Sequence, residues 1–275
     1  MNGIGYKIKK TILYILLILL SVVCMFPFLL MIVNATRSGS EIMKSFTLIP
    51  SVYLKENWAT VFKYFNLFLG MWNSLKVAVP STLLCAYFSA MTAYALAMYK
   101  FKGNKVLFMT ILIFMMIPGQ LGLIGFYNLC TKLHLVNSYI PLIIPAIASP
   151  GTVFFLRQYV LSVMPPSLIE AARIDGANGL KKFMYVTLPL MCPSVKIVIV
   201  TGLIGGMKVF DIIYSMTSGG PGDATQTVMT VMMKKGISEG FYSTGSAFGV
   251  CFFIIVLAIS AIVTKLMGKW SEAIQ

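Results

Sequence analysis

Long apolar runs separated by short polar segments dominate the chain. Six are of membrane-spanning length: residues 11–33, 71–98, 106–126, 138–156, 194–216 and 244–266. About 20 apolar residues in a helix cross the roughly 30 Å hydrocarbon core of a bilayer. The pattern predicts an all-α integral membrane protein of six transmembrane helices, a single domain over 1–275. Pro27 should kink the first run, and Pro118-Gly119 interrupts the third. Pro141, Pro145 and Pro150 fall in the fourth, which buried membrane helices tolerate. The second is rich in alanine and serine, the composition of closely packed helices. Between the first two runs, residues 34–70 are mixed, with two short apolar patches that predict a pair of interfacial helices. The first run follows Lys7, Lys9 and Lys10 as in a signal peptide, but it is too long for one and lacks a clear small-residue cleavage site. It is expected to stay as the first span.

The longest polar interruption runs from Pro165 to Pro193 and reads as a helix–turn–helix. Pro165 and Pro166 stop the preceding helix, and Ser167 with Glu170 has the S-x-x-E spacing of a capping box. Leu168, Ile169 and Ala172 give the short helix an apolar side; Glu170, Arg173 and Asp175 make it amphipathic. Gly176 is expected to end it in the left-handed conformation, Gly179 to permit a second reversal, and Leu188-Pro189 to close the segment.

Composition supports the membrane reading. The hydrophobic fraction is 58% and the charged fraction 11%, against about a quarter charged in a soluble domain. The net charge of +14 predicts no nucleic-acid partner, because the lysines sit beside the apolar runs. Thirteen of the 22 lysines and arginines fall at residues 7, 9, 10, 100, 102, 105, 157, 173, 181, 182, 196, 265 and 269, all on one side of a six-span topology. The positive-inside rule therefore puts both termini and the 165–193 loop in the cytoplasm. Five cysteines lack metal-ligand or C-x-x-C spacing, and a structural role suits the single His134 best. No G-x-x-x-x-G-K-[ST] occurs, so the chain has no P-loop of its own.

The loop carries a family resemblance. Glu170-Ala171-Ala172, three residues, Gly176, nine residues, Val186, one residue and Leu188-Pro189 resembles the E-A-A-x3-G-x9-I-x-L-P cytoplasmic loop of binding-protein-dependent ABC importer permeases, with valine for isoleucine. The resemblance implies a type I importer bundle with both termini cytoplasmic, which agrees with the orientation obtained from charge alone. It also implies that this segment holds a coupling helix. Glu170, Ala171, Ala172, Asp175, Gly176, Leu188 and Pro189 would then meet a separate ATPase carrying ATP and Mg, with no cofactor in this chain. Capping by Glu170 is compatible with that role. An amphipathic helix on the membrane surface would explain the polarity pattern but not the spacing.

Lys208 and Asp211 lie three apart and are expected to share a face of the fifth span, about 18 Å along from Lys196. Such a charge pair is either a polar contact lining a solute path or an interhelical ion pair that orients the bundle. Tyr214, one turn on, is an aromatic of the kind sugars stack on. Gln120, beside the Pro118-Gly119 break, is a weaker candidate. The loop Thr217–Thr227 is either an ordinary flexible connector or a binding-protein contact through Gly219, Gly220, Pro221 and Gly222.

Phe210-Asp211 through Thr227 resembles a stretch of permeases in the carbohydrate-uptake branch, whose outer loop can enter the binding protein's sugar cleft. Phe26-Pro27-Phe28, Trp72-Asn73-Ser74-Leu75, Ala93-Tyr94-Ala95-Leu96-Ala97 and Met116-Ile117-Pro118 support the same branch. Most of the chain is similar to the shorter, six-helix subunit of maltose-type importers, whereas the G-G-P loop is more typical of its companion. The resemblance implies a multi-pass permease of the bacterial cytoplasmic membrane that is not itself catalytic, ATP hydrolysis belonging to a partner chain. Its implied partners are a second homologous permease, two ATPase subunits, an extracellular solute-binding protein and a sugar. The competing expectations are a secondary transporter or channel without an ATPase, and a membrane scaffold.

Overall fold

The computed structural model describes residues 3–174, 176, 177 and 179–274. Helices follow one another throughout: α1 (Gly3–Ala35), α2 (Gly39–Lys44), α3 (Leu54–Tyr64), α4 (Leu67–Met98), α5 (Asn104–Met116), α6 (Leu123–Lys132), α7 (Ile140–Ile143), α8 (Pro150–Val163), α9 (Pro166–Ile174), α10 (Gly179–Lys182), α11 (Leu188–Met207), α12 (Asp211–Thr217), α13 (Val228–Met233) and α14 (Tyr242–Ile274). Among the described residues there is no strand. Among the described residues, five stretches are long and apolar enough to cross a membrane: 5–35, 67–98, 140–163, 185–207 and 242–272. A sixth is obtained when Asn104–Met116 and Gly119–Lys132, bent by 88°, are taken together. The bend falls at Pro118-Gly119, where proline withdraws a backbone donor.

Two expected boundaries are corrected. The fourth helix does not stop at residue 156 but continues through Arg157 to Val163. The guanidinium lies over the Phe108 ring, 3.8 Å from its centroid, so the charge is accommodated without ending the helix. The fifth helix runs from Leu188 to Met207 rather than from 194 to 216. It breaks after Gly205-Gly206, and the acidic Asp211 opens α12, where a negative charge suits a helix N-terminus.

The chain forms two compact units: residues up to 67 with 231–254, and 68–230 with 255 onward. In the first, Ser38 and Glu41 form a reciprocal capping box on α2. Arg37 donates to the carbonyls of Glu41 (2.6 Å) and Ser45 (2.9 Å). Asn57 on α3 donates to those of Ala35 (2.9 Å) and Arg37 (2.8 Å), so the buried Arg37 and Asn57 side chains are both paired. By contrast α1 is apolar and exposed from Gly5 to Leu29, with Ile15, Leu16 and Ile18 all uncovered, and is covered only towards Ala35. A helix apolar all round belongs against lipid or another membrane helix.

In the second unit, α4 packs on α11 through small residues. A Cβ added to Gly206 would fall 2.9 Å from Ala78 Cβ, and one on Gly202 3.0 Å from the Thr82 methyl. Ala86, Ala93, Leu156 and Val198 continue the contact onto α8. Close approach through alanine, glycine and threonine is the usual way for membrane helices to gain packing contacts without a hydrophobic driving force.

Candidate coupling helix and outer loop

Helix α9 begins at Pro166, which puts Ser167 inside the first turn. The capping box expected for Ser167 and Glu170 is therefore not how this helix starts. Proline at the first helical position brings a preset φ and no N–H to satisfy. The C-terminus closes on Gly176, φ +75°, and the Ala177 N–H returns to the Ala172 carbonyl at 3.0 Å. That five-residue reach with glycine in the left-handed region is a Schellman ending. Asp175, named with this group from the sequence, lies outside the described residues.

The helix stands out of the fold. Glu170, Ala171 and Gly176 are exposed and Ala172 is half-buried. Leu168 is exposed too, as are Ile174 at 85% and Tyr185 at 80%. Leu188 and Pro189 are half-buried and do not close the segment. A π-helical turn, Phe183–Thr187, carries α10 straight into α11. Pro189 cannot donate to the carbonyl four residues back, and a widened turn is where a helix absorbs that loss.

The polar residues of the fifth run are arranged differently from the expectation. Lys208 caps the end of α11 and Asp211 opens α12, so they flank a break instead of sharing a helical face. Among the described residues the ion pair is Lys235–Glu239, at 2.6 Å, and none joins Lys208 to Asp211. Helix α12 buries Ile213 and Met216 against Val77, Cys130 and Leu142. Its other side exposes Asp211 and Tyr214, whose ring stacks on Phe210 at 5.2 Å. Gln120 is exposed on the 3-10 turn Gly119–Gly122, apart from these.

Thr217–Thr227 is hydrogen-bonded throughout rather than slack. The Thr217 hydroxyl donates to the Ile213 carbonyl (2.8 Å) and accepts from Thr225 (2.7 Å). The Gly220 N–H reaches Thr217 O at 2.7 Å, and Thr225 N–H reaches Gly219 O at 3.2 Å. Gly219 and Gly222 have φ of +88° and +59°, which glycine adopts without strain. The side-chain amide of Asn73, on α4, donates to the carbonyls of Asp223 (3.1 Å) and Gln226 (2.9 Å). The Tyr139 hydroxyl donates to Ala224 O at 2.7 Å. These two anchors were not singled out from sequence as site residues, although asparagine inside an apolar run is itself a signal.

A cavity of about 350 Å³ between α4, α8 and α11 also escaped the sequence reading. Thr82, Cys85, Thr152, Thr201 and Phe155 line it, giving a hydroxyl-rich wall beside an aromatic ring.

These features define an all-α, multi-pass membrane protein with one exposed helix–turn–helix between two of its apolar helices. Residues 83–273 match the family described as the binding-protein-dependent transport system inner membrane component, and the chain belongs to that family. It is 39% identical over 176 residues to the arabinooligosaccharides transport system permease protein AraQ of Halalkalibacterium halodurans, an alignment covering 62% of this chain and 63% of that one. The Bacillus subtilis protein of the same name is 34% identical over 196 residues, covering 69% and 67%. The chain thus spans about two thirds of the length of these relatives. The diacetylchitobiose uptake system permease protein NgcG of Streptomyces coelicolor is 29% identical over 246 residues, 89% of this chain and 79% of the relative. The fold is similar to that of a bacterial ABC transporter involved in import of the acidic polysaccharide alginate, with TM-score 0.73, 18% identity and coverage of 98% and 99%.

Proposed function

We propose that this chain is the permease subunit of an ATP-driven importer. It takes a sugar or oligosaccharide from an extracellular solute-binding protein and passes it across the bacterial cytoplasmic membrane by alternating access. It acts as one permease domain over 1–275, with both termini cytoplasmic, beside a second homologous permease. Two ATPase subunits, which bind ATP and Mg, complete the complex, one of them docking on the 165–193 loop of this chain. ATP hydrolysis belongs to those partners and not to this chain.

The observation that carries this reading is the exposed α9. A short helix with Glu170, Ala171 and Ala172 at the family spacing ends on a left-handed Gly176 and offers Leu168 and Ile174 to a partner. An amphipathic helix laid in a groove is a standard mode of protein recognition. Glu170 and Asp175 meet polar groups of the ATPase, small Ala171 and Ala172 permit close approach, and Leu188-Pro189 pass the movement into α11. Sugar as the substrate class is supported by the names of the relatives. The firmly tied loop at Gly219, Gly220, Pro221 and Gly222 suits contact with a binding protein, since a preordered loop loses little entropy on docking. Lys208, Asp211, Tyr214 and Gln120 supply exposed polar and aromatic groups for the solute path.

Mild solubilisation of native membranes, pull-down of the tagged chain and mass spectrometry test the assignment. A P-loop ATPase, a second permease and a solute-binding protein should co-purify. Recovery of the chain alone, under conditions that preserve a known importer, points to a transporter or channel without an ATPase.

A further inference from the structure

Where α4 passes into α5, the chain builds a basic cavity that the transport role does not use. It has a volume of about 450 Å³ and is formed by the end of α4, the turn 99–103, the first residues of α5 and Arg157 of α8. Three cations line it, Lys100, Lys105 and Arg157, and among the described residues no carboxylate does. Arg157 is fixed by its contact with Phe108, and its Nε is buried without a hydrogen-bond partner. The turn itself is held in shape. Asn104 Nδ2 donates to the carbonyls of Leu96 (3.2 Å) and Tyr99 (2.8 Å), and Gly103 takes φ +96°. No side chain caps the N-terminus of the 13-residue α5, and no acidic residue lies in its first turn. Its partial positive charge therefore adds to that of the three side chains.

Three unneutralised cations around a preformed concavity call for an anion, and the surroundings say which kind. Tyr99 and Phe101 are exposed beside the cavity, as aromatics are at a membrane–water boundary. Directly after them α5 exposes Val106 and Leu107, apolar surface suited to an acyl chain. Basic pockets between membrane helices bind anionic lipid headgroups. The geometry points to a binding site for the phosphodiester headgroup of an anionic phospholipid, held by Lys100, Lys105 and Arg157, with the acyl chains along α5. The site requires only that α4 and α5 lie in a bilayer; failure of the ATPase pull-down leaves it standing.

Native mass spectrometry of the detergent-purified full chain tests this, with phosphatidylglycerol and phosphatidylcholine titrated in parallel. Phosphatidylglycerol should be retained at least fivefold better. Lys100→Gln with Lys105→Gln should bring the two lipids to near parity, whereas Lys265→Gln with Lys269→Gln, at another basic helix end, should leave the preference intact. Lys105→Gln alone serves if the double variant is not monodisperse, and should at least halve the preference. Equal retention of the two lipids by the native chain overturns the proposal, as does an equal loss in the 265/269 control. Displacement by millimolar inorganic phosphate or glycerol 3-phosphate would assign the cavity to a free phosphate. A crosslink from Lys105 to an acidic segment of a partner subunit, in place of lipid, would assign it to a protein contact.

Discussion

The side-chain amide of Asn73 reaches the main-chain carbonyl of Gln226 at 2.9 Å, joining α4 to the end of a loop 153 residues further along. The same amide holds Asp223 O, and Asn73 is 1% exposed, so its donors have no water to fall back on. Replacement by leucine removes the bonds to two part-buried carbonyls, at a net cost of about 0.5–1.5 kcal/mol each. Asn73→Leu should lower the unfolding midpoint in detergent and reduce binding-protein-dependent uptake several-fold, with basal ATP hydrolysis of the assembled complex unchanged. Uptake equal to native would separate the loop from binding-protein contact.

Gly219 makes a second, independent test of the same loop. Its φ of +88° suits glycine, and a Cβ there would collide with the Gln226 side-chain amide. Gly219→Val should open the loop, seen as faster proteolytic cleavage between 217 and 227, while helix content by circular dichroism stays constant.

The approach of α11 to α4 leaves no room for a methyl group at Gly206, whose added Cβ would also lie 3.0 Å from Ala78 Cα. Because the obstacle is backbone, relief requires the helices to separate. Overpacking of this kind costs about 1–3 kcal/mol. Gly206→Val should lower thermal stability accordingly, and Ala78→Gly in the same chain should restore part of the loss.

Gly176 closes α9 in the left-handed region, φ +75°, which proline cannot adopt and which costs other L-residues about 1–2 kcal/mol. Gly176→Pro should therefore misplace the end of the helix without disturbing the apolar helices. ATP hydrolysis by the complex should persist while uptake falls at least tenfold; Gly176→Asn, a residue that tolerates positive φ, should retain most of it.

Legibility from the sequence followed the range of the interactions involved. Apolar runs and prolines act locally, so the all-helical membrane class and the break at Pro118-Gly119 could be read directly. The end of α8 could not, because Arg157 reads as a terminus until Phe108 is found beneath it. The spacing of Lys208 and Asp211 predicts one helical face, and spacing says nothing of the break after Gly205-Gly206. Ser167 looked like a cap because its hydroxyl and Glu170 fit that pattern, but Pro166 is the better first residue. The Asn73 and Tyr139 anchors depend on contacts 150 and 85 residues away, to Asp223 and Ala224, beyond any local pattern. What remained legible at the 165–193 loop was its chemistry: a glycine that needs positive φ and a polar helix set between apolar ones.

The coupling claim is tested most directly by measuring sugar uptake and ATP hydrolysis together, in proteoliposomes of the reconstituted complex, for the native chain and for Glu170→Lys. Charge reversal on the exposed face of α9 should break the contact with the ATPase while leaving α11 and its packing on α4 intact. Residual ATP hydrolysis is expected, with uptake reduced at least tenfold, so that sugar moved per ATP collapses. Unchanged sugar moved per ATP in the Glu170→Lys complex would contradict it.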